Sequence, residues 1–270
     1  MEFKPLSPTN DFVFKKVFGE KMGVLADFLQ AVLDLPPEEY LGLSVVDPKL
    51  SRNFFGDKLG ILDVKINTRT GKIIDVEVQV KPQDFIWKRM LFYTAKMVVA
   101  QAKSGYDYDI INRAISILIA DFVIVKVNEA YHNRFRLHDK NTGACYPDSI
   151  EINFLELPKL PEADETRLGN WLRFFRARTK EDFMSVAETS PAIKEAWGVI
   201  QYLSGDERAR AEAEAREKAR MDLDSMIGEA KRKSIIEIAR NLLRENSPVD
   251  FIAKVTGLTL EQVKRLAEDQ

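Results

Sequence analysis

Two runs of alternating apolar and polar residues, joined by a tight turn, constrain this chain more than any other feature. Side chains of a strand alternate between its two faces. In residues 59–68, Leu62, Val64 and Ile66 therefore share one face, and Asp63, Lys65 and Asn67 share the other. In residues 72–81, Ile74, Val76, Val78 and Val80 lie opposite Asp75, Glu77, Gln79 and Lys81. The intervening Arg69-Thr70-Gly71 suits a three-residue loop closed by a glycine in the left-handed conformation. Such a turn sets the register: Thr68 faces Lys72, Lys65 faces Asp75, and Asp63 faces Glu77.

Opposed like charges destabilise a sheet, so Asp63 and Glu77 call for a cation or a proton. Mg²⁺ is a hard ion that takes carboxylate oxygens and retains several waters. The plainer reading is a solvated polar sheet face. For Lys65 and Asp75 the plain reading is a cross-strand ion pair.

Helical spacing precedes the hairpin. Ser7-Pro8-Thr9-Asn10 offers a capping side chain, and Phe14, Val17 and Phe18, then Val24, Leu25, Phe28, Leu29 and Val32, recur as apolar stripes until Pro36-Pro37. A short strand is expected near residues 41–46. A helix follows the hairpin over about 83–103, ended by Gly105. Residues 114–125, 131–138 and 149–157 read as strands. This order gives an α/β (α+β) domain over 1–157, a mixed central sheet flanked by helices. Beyond Pro158 and Pro161 no convincing strand remains. The expected divisions are a helical extension over 158–232 with a long charged helix, and a C-terminal segment over 233–270.

The residues around the hairpin resemble a known family. Thr9-Asn10-Asp11-Phe12-Val13-Phe14-Lys15-Lys16-Val17-Phe18-Gly19, then Ile61-Leu62-Asp63-Val64-Lys65 and Val76-Glu77-Val78-Gln79, are similar in order and spacing to the Rpn recombination-promoting nucleases and putative transposases. Arg89 to Tyr93, Gln101 to Tyr106, Glu156-Leu157-Pro158-Lys159-Leu160 and Trp171-Leu172-Arg173-Phe174 extend the resemblance over nearly the whole chain. It implies a restriction-endonuclease-like PD-(D/E)XK core and Mg²⁺-dependent hydrolysis of DNA, with Mn²⁺ as a substitute metal and a 5′-phosphate product. It also implies links to recombination or mobile elements. By the same resemblance Asp63, Glu77 and Gln79 are the catalytic set, and Asp63, Glu77 and the backbone carbonyl of Val78 hold the metal. Asp11 is a candidate acidic ligand or helix cap. The usual third-position lysine is replaced by Gln79, which carries no charge and is no general base near neutral pH. Lys65 or Lys81 is the candidate source of the missing charge.

Formal net charge is −2, so DNA contact depends on a local basic patch. Lys88, Lys96 and Lys103 punctuate the helix after the hairpin, where Arg89 and Tyr93, four apart, are candidate supports for the site; Gln101 is a weaker one. Near the C-terminus, residues 252–266 resemble a helix-turn-helix. Ala253 suits the crossing, Gly257 the turn, and Leu258, Val263 and Leu266 the inner face; Lys264 and Arg265 are candidate DNA contacts. Packing or homo-oligomer assembly through these helices is the alternative use. The one cysteine, Cys145, excludes an intrachain disulfide and fits a reducing cytoplasm. The N-terminal residues lack the apolar core of a signal peptide, and no apolar run reaches the ~20 residues of a membrane span. A non-catalytic DNA-binding or assembly protein on a nuclease-like core is the competing function.

Overall fold

A computed structural model of the chain describes residues 3–46, 49–50, 60–61, 63–102, 108–145 and 149–268. Lys103 and Gly105 lie outside them. Two compact units divide after Ala213, within one helix.

The first unit opens with α1 (Asp11–Glu20) and α2 (Met22–Val32). The Asn10 side chain caps α1 by accepting from the backbone N–H groups of Phe12 and Val13, so Asp11 is not the cap. Among the described residues, eight strands follow in chain order: β1 (Ser44–Val46), β2 (Lys49–Leu50), β3 (Gly60–Ile61), β4 (Val64–Asn67), β5 (Ile73–Gln79), β6 (Ala114–Ala120), β7 (His132–Arg136) and β8 (Ile150–Glu156). Helix α3 (Ile86–Val99) connects β5 to β6. The main sheet has the order β1-β4-β5-β6-β8-β7, and β2 pairs with β3 apart from it. Strand β5 is antiparallel to β4 and parallel to β6, so the sheet is mixed.

The register expected from the turn is the one found, with Val64 opposite Val76 and Lys65 opposite Asp75. The expected continuous strand over 59–68 is not: pairing with β5 ends at Val64, and Asp63 is a bend before it. Leu62 lies outside the described residues.

The sheet separates two environments. Val64, Ile66, Ile74, Val76, Ile115, Ile117 and Ile119 face a core built with α1, α2, α4 (Arg167–Arg176), α5 (Lys180–Ala187) and α6 (Pro191–Gly205). Its centre is aromatic: Phe18 lies 5.5 Å from Phe28, 5.6 Å from Trp171 and 5.5 Å from Phe175, ring centre to ring centre. Burying one such ring stabilises the fold by roughly 1.5–3 kcal/mol. The compact units therefore do not follow the division after residue 157 suggested by composition, because α4–α6 close the core of the sheet domain. The other face carries Leu118, Ala120, Ile152 and Phe154 beneath Ile86 and Met90 of α3.

The second unit comprises residues 214–270, beginning within α7 (Glu207–Arg244), then α8 (Val249–Thr256) and α9 (Leu260–Glu268). Ala239, Ile252 and Val263 are its buried centre, with Ala253, Leu258 and Leu266 packed around them. Gly257, at φ +72°, turns α8 into α9. Thr259 and Gln262 cap α9 reciprocally, each side chain accepting from the other's backbone N–H. Lys264 and Arg265 are exposed. Among the described residues no helix is long and apolar enough to cross a membrane.

Candidate active site

The site grows from the point where β4 stops. Beyond Val64 no β4 residue pairs with β5, and the Asp63 carboxylate takes over: its Oδ2 accepts the Val78 N–H at 3.2 Å. On the opposite edge of β5, the Gln79 carbonyl accepts the Asp121 N–H at 3.0 Å. Successive residues of a strand direct their backbone groups to alternate edges. The Val78 carbonyl thus lies on the Asp63 edge, away from β6.

Glu77 and Asp75 point from β5 to the face that α3 covers. Arg89 of α3 reaches down to Glu77, Nη2 to Oε2 at 3.4 Å, and its other terminal nitrogen donates to Gln83. The Arg89 guanidinium also lies 5.7 Å from the centre of the Tyr93 ring. Arg89 thus meets Glu77, and Tyr93 lies beside Arg89. Burial pushes the Glu77 carboxyl up from 4.5 to about 7, against the pull of Arg89 and with a contribution from Asp63. Burial likewise raises Asp63, which the Val78 N–H and Lys15 partly oppose.

Asp75 corrects the expected ion pair with Lys65. The two are opposed in register, but no ion pair forms among the described residues; neither carboxyl oxygen of the fully buried Asp75 has a hydrogen-bond partner. Lys65 is half-exposed, whereas Asp75 lies under α3, where Thr94 and Ser116 bond to each other at 2.7 Å instead. Burial, then the charges of Glu77 and Asp63, raise Asp75 well above the usual carboxylate range.

Lys15 joins the candidate site from outside the hairpin. From α1 its ammonium stands 3.5 Å from Asp63 Oδ1 and 3.8 Å from Asp11 Oδ2. The signal was present in α1. Val13, Phe14, Val17 and Phe18 are buried, leaving Asp11 and Lys15, four apart, on another face. Lys15 thus brings an ammonium from α1 to the hairpin acid Asp63. Gln79 is half-buried at the end of β5, with no hydrogen bond from its side chain among the described residues. Gln101 is a structural tie, joining the end of α3 to the backbone of Asn112. His132 bonds to Asn153 and His138 to the Gly143 carbonyl, so the histidines form no joint site.

Could these residues hold a metal? Among the described residues no three or more His, Cys, Asp or Glu side chains form a ready-made cage. A smaller donor set does fit: the Asp63 carboxylate, the Val78 carbonyl, and Glu77, whose Oε1 is buried without a hydrogen bond. One or two carboxylates with retained waters is the manner in which Mg²⁺ is commonly bound.

A family described as PD-(D/E)XK nuclease family transposase matches residues 8–230. No curated protein and no solved structure matches the chain.

Proposed function

The chain belongs to the PD-(D/E)XK nuclease family transposases, and from that premise we propose that it is a divalent-metal-dependent DNA endonuclease that hydrolyses phosphodiester bonds at the end of the β4–β5 hairpin. The observation that carries the reading is the state of the acids. Asp75 and Glu77 are buried, and three of their four carboxyl oxygens have no hydrogen bond. Such groups destabilise a fold unless something else compensates for them.

Asp63, Glu77 and the Val78 carbonyl would hold Mg²⁺ or Mn²⁺. The chemistry supplied by a bound divalent cation is activation of water and neutralisation of phosphate charge. The Val78 N–H fixes the orientation of Asp63. Arg89 holds Glu77 and Gln83 on one guanidinium, and would share its positive charge with the phosphate. Gln79 would orient the attacking water by hydrogen bonding, since an amide cannot take its proton. Lys15 would supply the positive charge that position 79 lacks. Lys88 and Lys96 on α3, and Lys264 and Arg265 on α9, would contact the DNA backbone. Recombination or element mobility is the biological setting that the family suggests.

A second reading has its own support. Lys15 and Arg89 already stand beside Asp63 and Glu77, and would neutralise them without a metal in a DNA-binding or assembly protein. Cleavage of supercoiled plasmid by purified wild type and Asp63→Ala, in Mg²⁺, Mn²⁺ or EDTA, separates the two. Nicking that needs both metal and Asp63 supports the nuclease. DNA retention in EDTA with no nicking in either metal supports the second reading.

A further inference from the structure

Phe85 is a conformational and solvational anomaly. It precedes α3 at φ 62°, ψ 26°, a left-handed conformation that bulky side chains avoid, and the residue is 72% exposed. Among the described residues the only other non-glycine at positive φ is Asn246, and asparagine tolerates that region. Neither the backbone nor the exposure of Phe85 stabilises the fold, and residues held this way cluster at functional sites. Its location is informative. The Phe85 carbonyl accepts from the Arg89 N–H at 3.0 Å, one helical turn from the guanidinium that contacts Glu77.

The face beginning at Phe85 continues along α3 as Lys88, Phe92 and Lys96, at helical spacing. Aromatic and cation alternate in space as well. The Lys88 ammonium lies 5.3 Å from the Phe85 ring centre, and that of Lys96 lies 5.4 Å from the Phe92 ring centre. Phe92 is 42% exposed. The helix contains no acidic residue, in a chain of net charge −2. A purely apolar protein partner would not call for the cations on this face. A polyanion with free aromatic faces would. In a duplex the bases are stacked on one another, whereas unpaired bases offer their π-faces to side chains while lysines follow the phosphates.

We propose that this face of α3 is a stacking platform for unpaired DNA bases, with Phe85 nearest the hairpin and Phe92 one step beyond. The proposed nuclease would then act on single-stranded or locally opened DNA; the inference rests on that function for its substrate, but not for its binding test.

The test is equilibrium binding, in EDTA and low salt, of a fluorescent mixed-sequence single-stranded oligonucleotide and of its blunt duplex. Full-length wild type is compared with Phe85→Ala, Phe92→Ala, the double variant, Phe85→Tyr and Phe85→Gly. Wild type is expected to favour the single strand. Each alanine should weaken that binding about tenfold, in the range of base–aromatic stacking, and change duplex binding less than twofold. Phe85→Tyr should retain binding. Phe85→Gly should melt at a higher temperature than wild type, because glycine accepts this backbone conformation, yet bind the single strand as weakly as Phe85→Ala. Wild-type single-strand binding by the double variant, or equal wild-type affinity for both DNA forms, would overturn the platform. So would loss of a dimer in the double variant with DNA binding intact, which would make this face a self-association surface. Plasmid nicking is scored separately. Nicking without ring-dependent binding removes this inference and leaves the nuclease, and ring-dependent binding without nicking does the reverse.

Discussion

Two glutamates flank the β4–β5 hairpin at its two ends, each with 4% of its side chain exposed. Glu39 sits at the turn, in the short 3₁₀ helix Pro37–Tyr40. Thr68 and Thr70 each donate a hydroxyl to it at 2.6 Å, and the Lys72 ammonium lies 2.6 Å away. Burial pushes its carboxyl up, but the bonds from Lys72, Thr68 and Thr70 outweigh that and bring it from 4.5 to about 2. Glu77, at the open end, is raised to about 7. Equally low side-chain exposure thus goes with opposite outcomes: donors prevail at Glu39, and burial prevails at Glu77. Glu156, on β8, belongs with Glu39: fully buried, it accepts from Ile124, Val125 and Asn133 and pairs with Lys159. The contrast separates carboxylates that hold the fold from carboxylates the fold tolerates, and the second kind is where chemistry is expected.

The sharpest way to break this comparison is Glu77→Gln. Plasmid cleavage should fall by on the order of 10³-fold, while the variant at pH 8 should be more stable than wild type by about 1–3 kcal/mol, read from urea midpoints. A loss of stability with cleavage retained would place Glu77 with Glu39.

Glu39→Gln should do the opposite, costing on the order of 3 kcal/mol at pH 7 with the chemistry of the folded fraction intact. The pH profiles differ in sign. The pKa of Glu39 is depressed on folding, so its contribution is complete above about 4.5 and is lost as pH falls toward about 2. That of Glu77 is raised, so its cost is absent below about 4.5, grows with pH, and is complete above about 7. Urea midpoints between pH 4.5 and 7.5 should therefore decline in wild type relative to Glu77→Gln.

Lys15→Ala comes next, with a 10–100-fold loss of cleavage, partly restored in Lys15→Arg. Unchanged rates would remove Lys15 from the site. The smallest effect concerns the metal itself. At a few times its dissociation constant, Mg²⁺ should stabilise wild type by about 1 kcal/mol and leave Asp63→Ala unmoved in a thermal melt.

What could be read before folding follows the reach of each interaction. The hairpin register was legible because alternation and a glycine turn are local. So were the core stripes of α1 and α2 and the packing of α8 on α9. The bend at Asp63 was not, since a side chain replaces a ladder bond there only once β5 is beside it. The Lys65–Asp75 pair fails to form for a related reason: register fixes which residues are opposed, while the helix covering one face decides whether they can share solvent. Lys15 was hidden by distance along the chain. The fusion of α4–α6 with the sheet domain left a trace in the aromatic density of Trp171, Phe174, Phe175 and Phe183, which a composition shift at two prolines obscured.

Asn10 draws one more consequence. Its amide donates to the Ala213 carbonyl at 3.0 Å, joining the start of α1 to the last residue of the first unit. The helix that carries Lys15 is thus anchored by residues synthesised some two hundred positions later, and its core partners Trp171 and Phe175 also emerge after the whole sheet. On a ribosome that makes chains from the N-terminus, Asp63 and the acids of β5 precede the elements that hold their cation in place. A prematurely terminated product would carry the acids without that scaffold. Emergence of α4–α6 and the start of α7 would then be the step that completes the site.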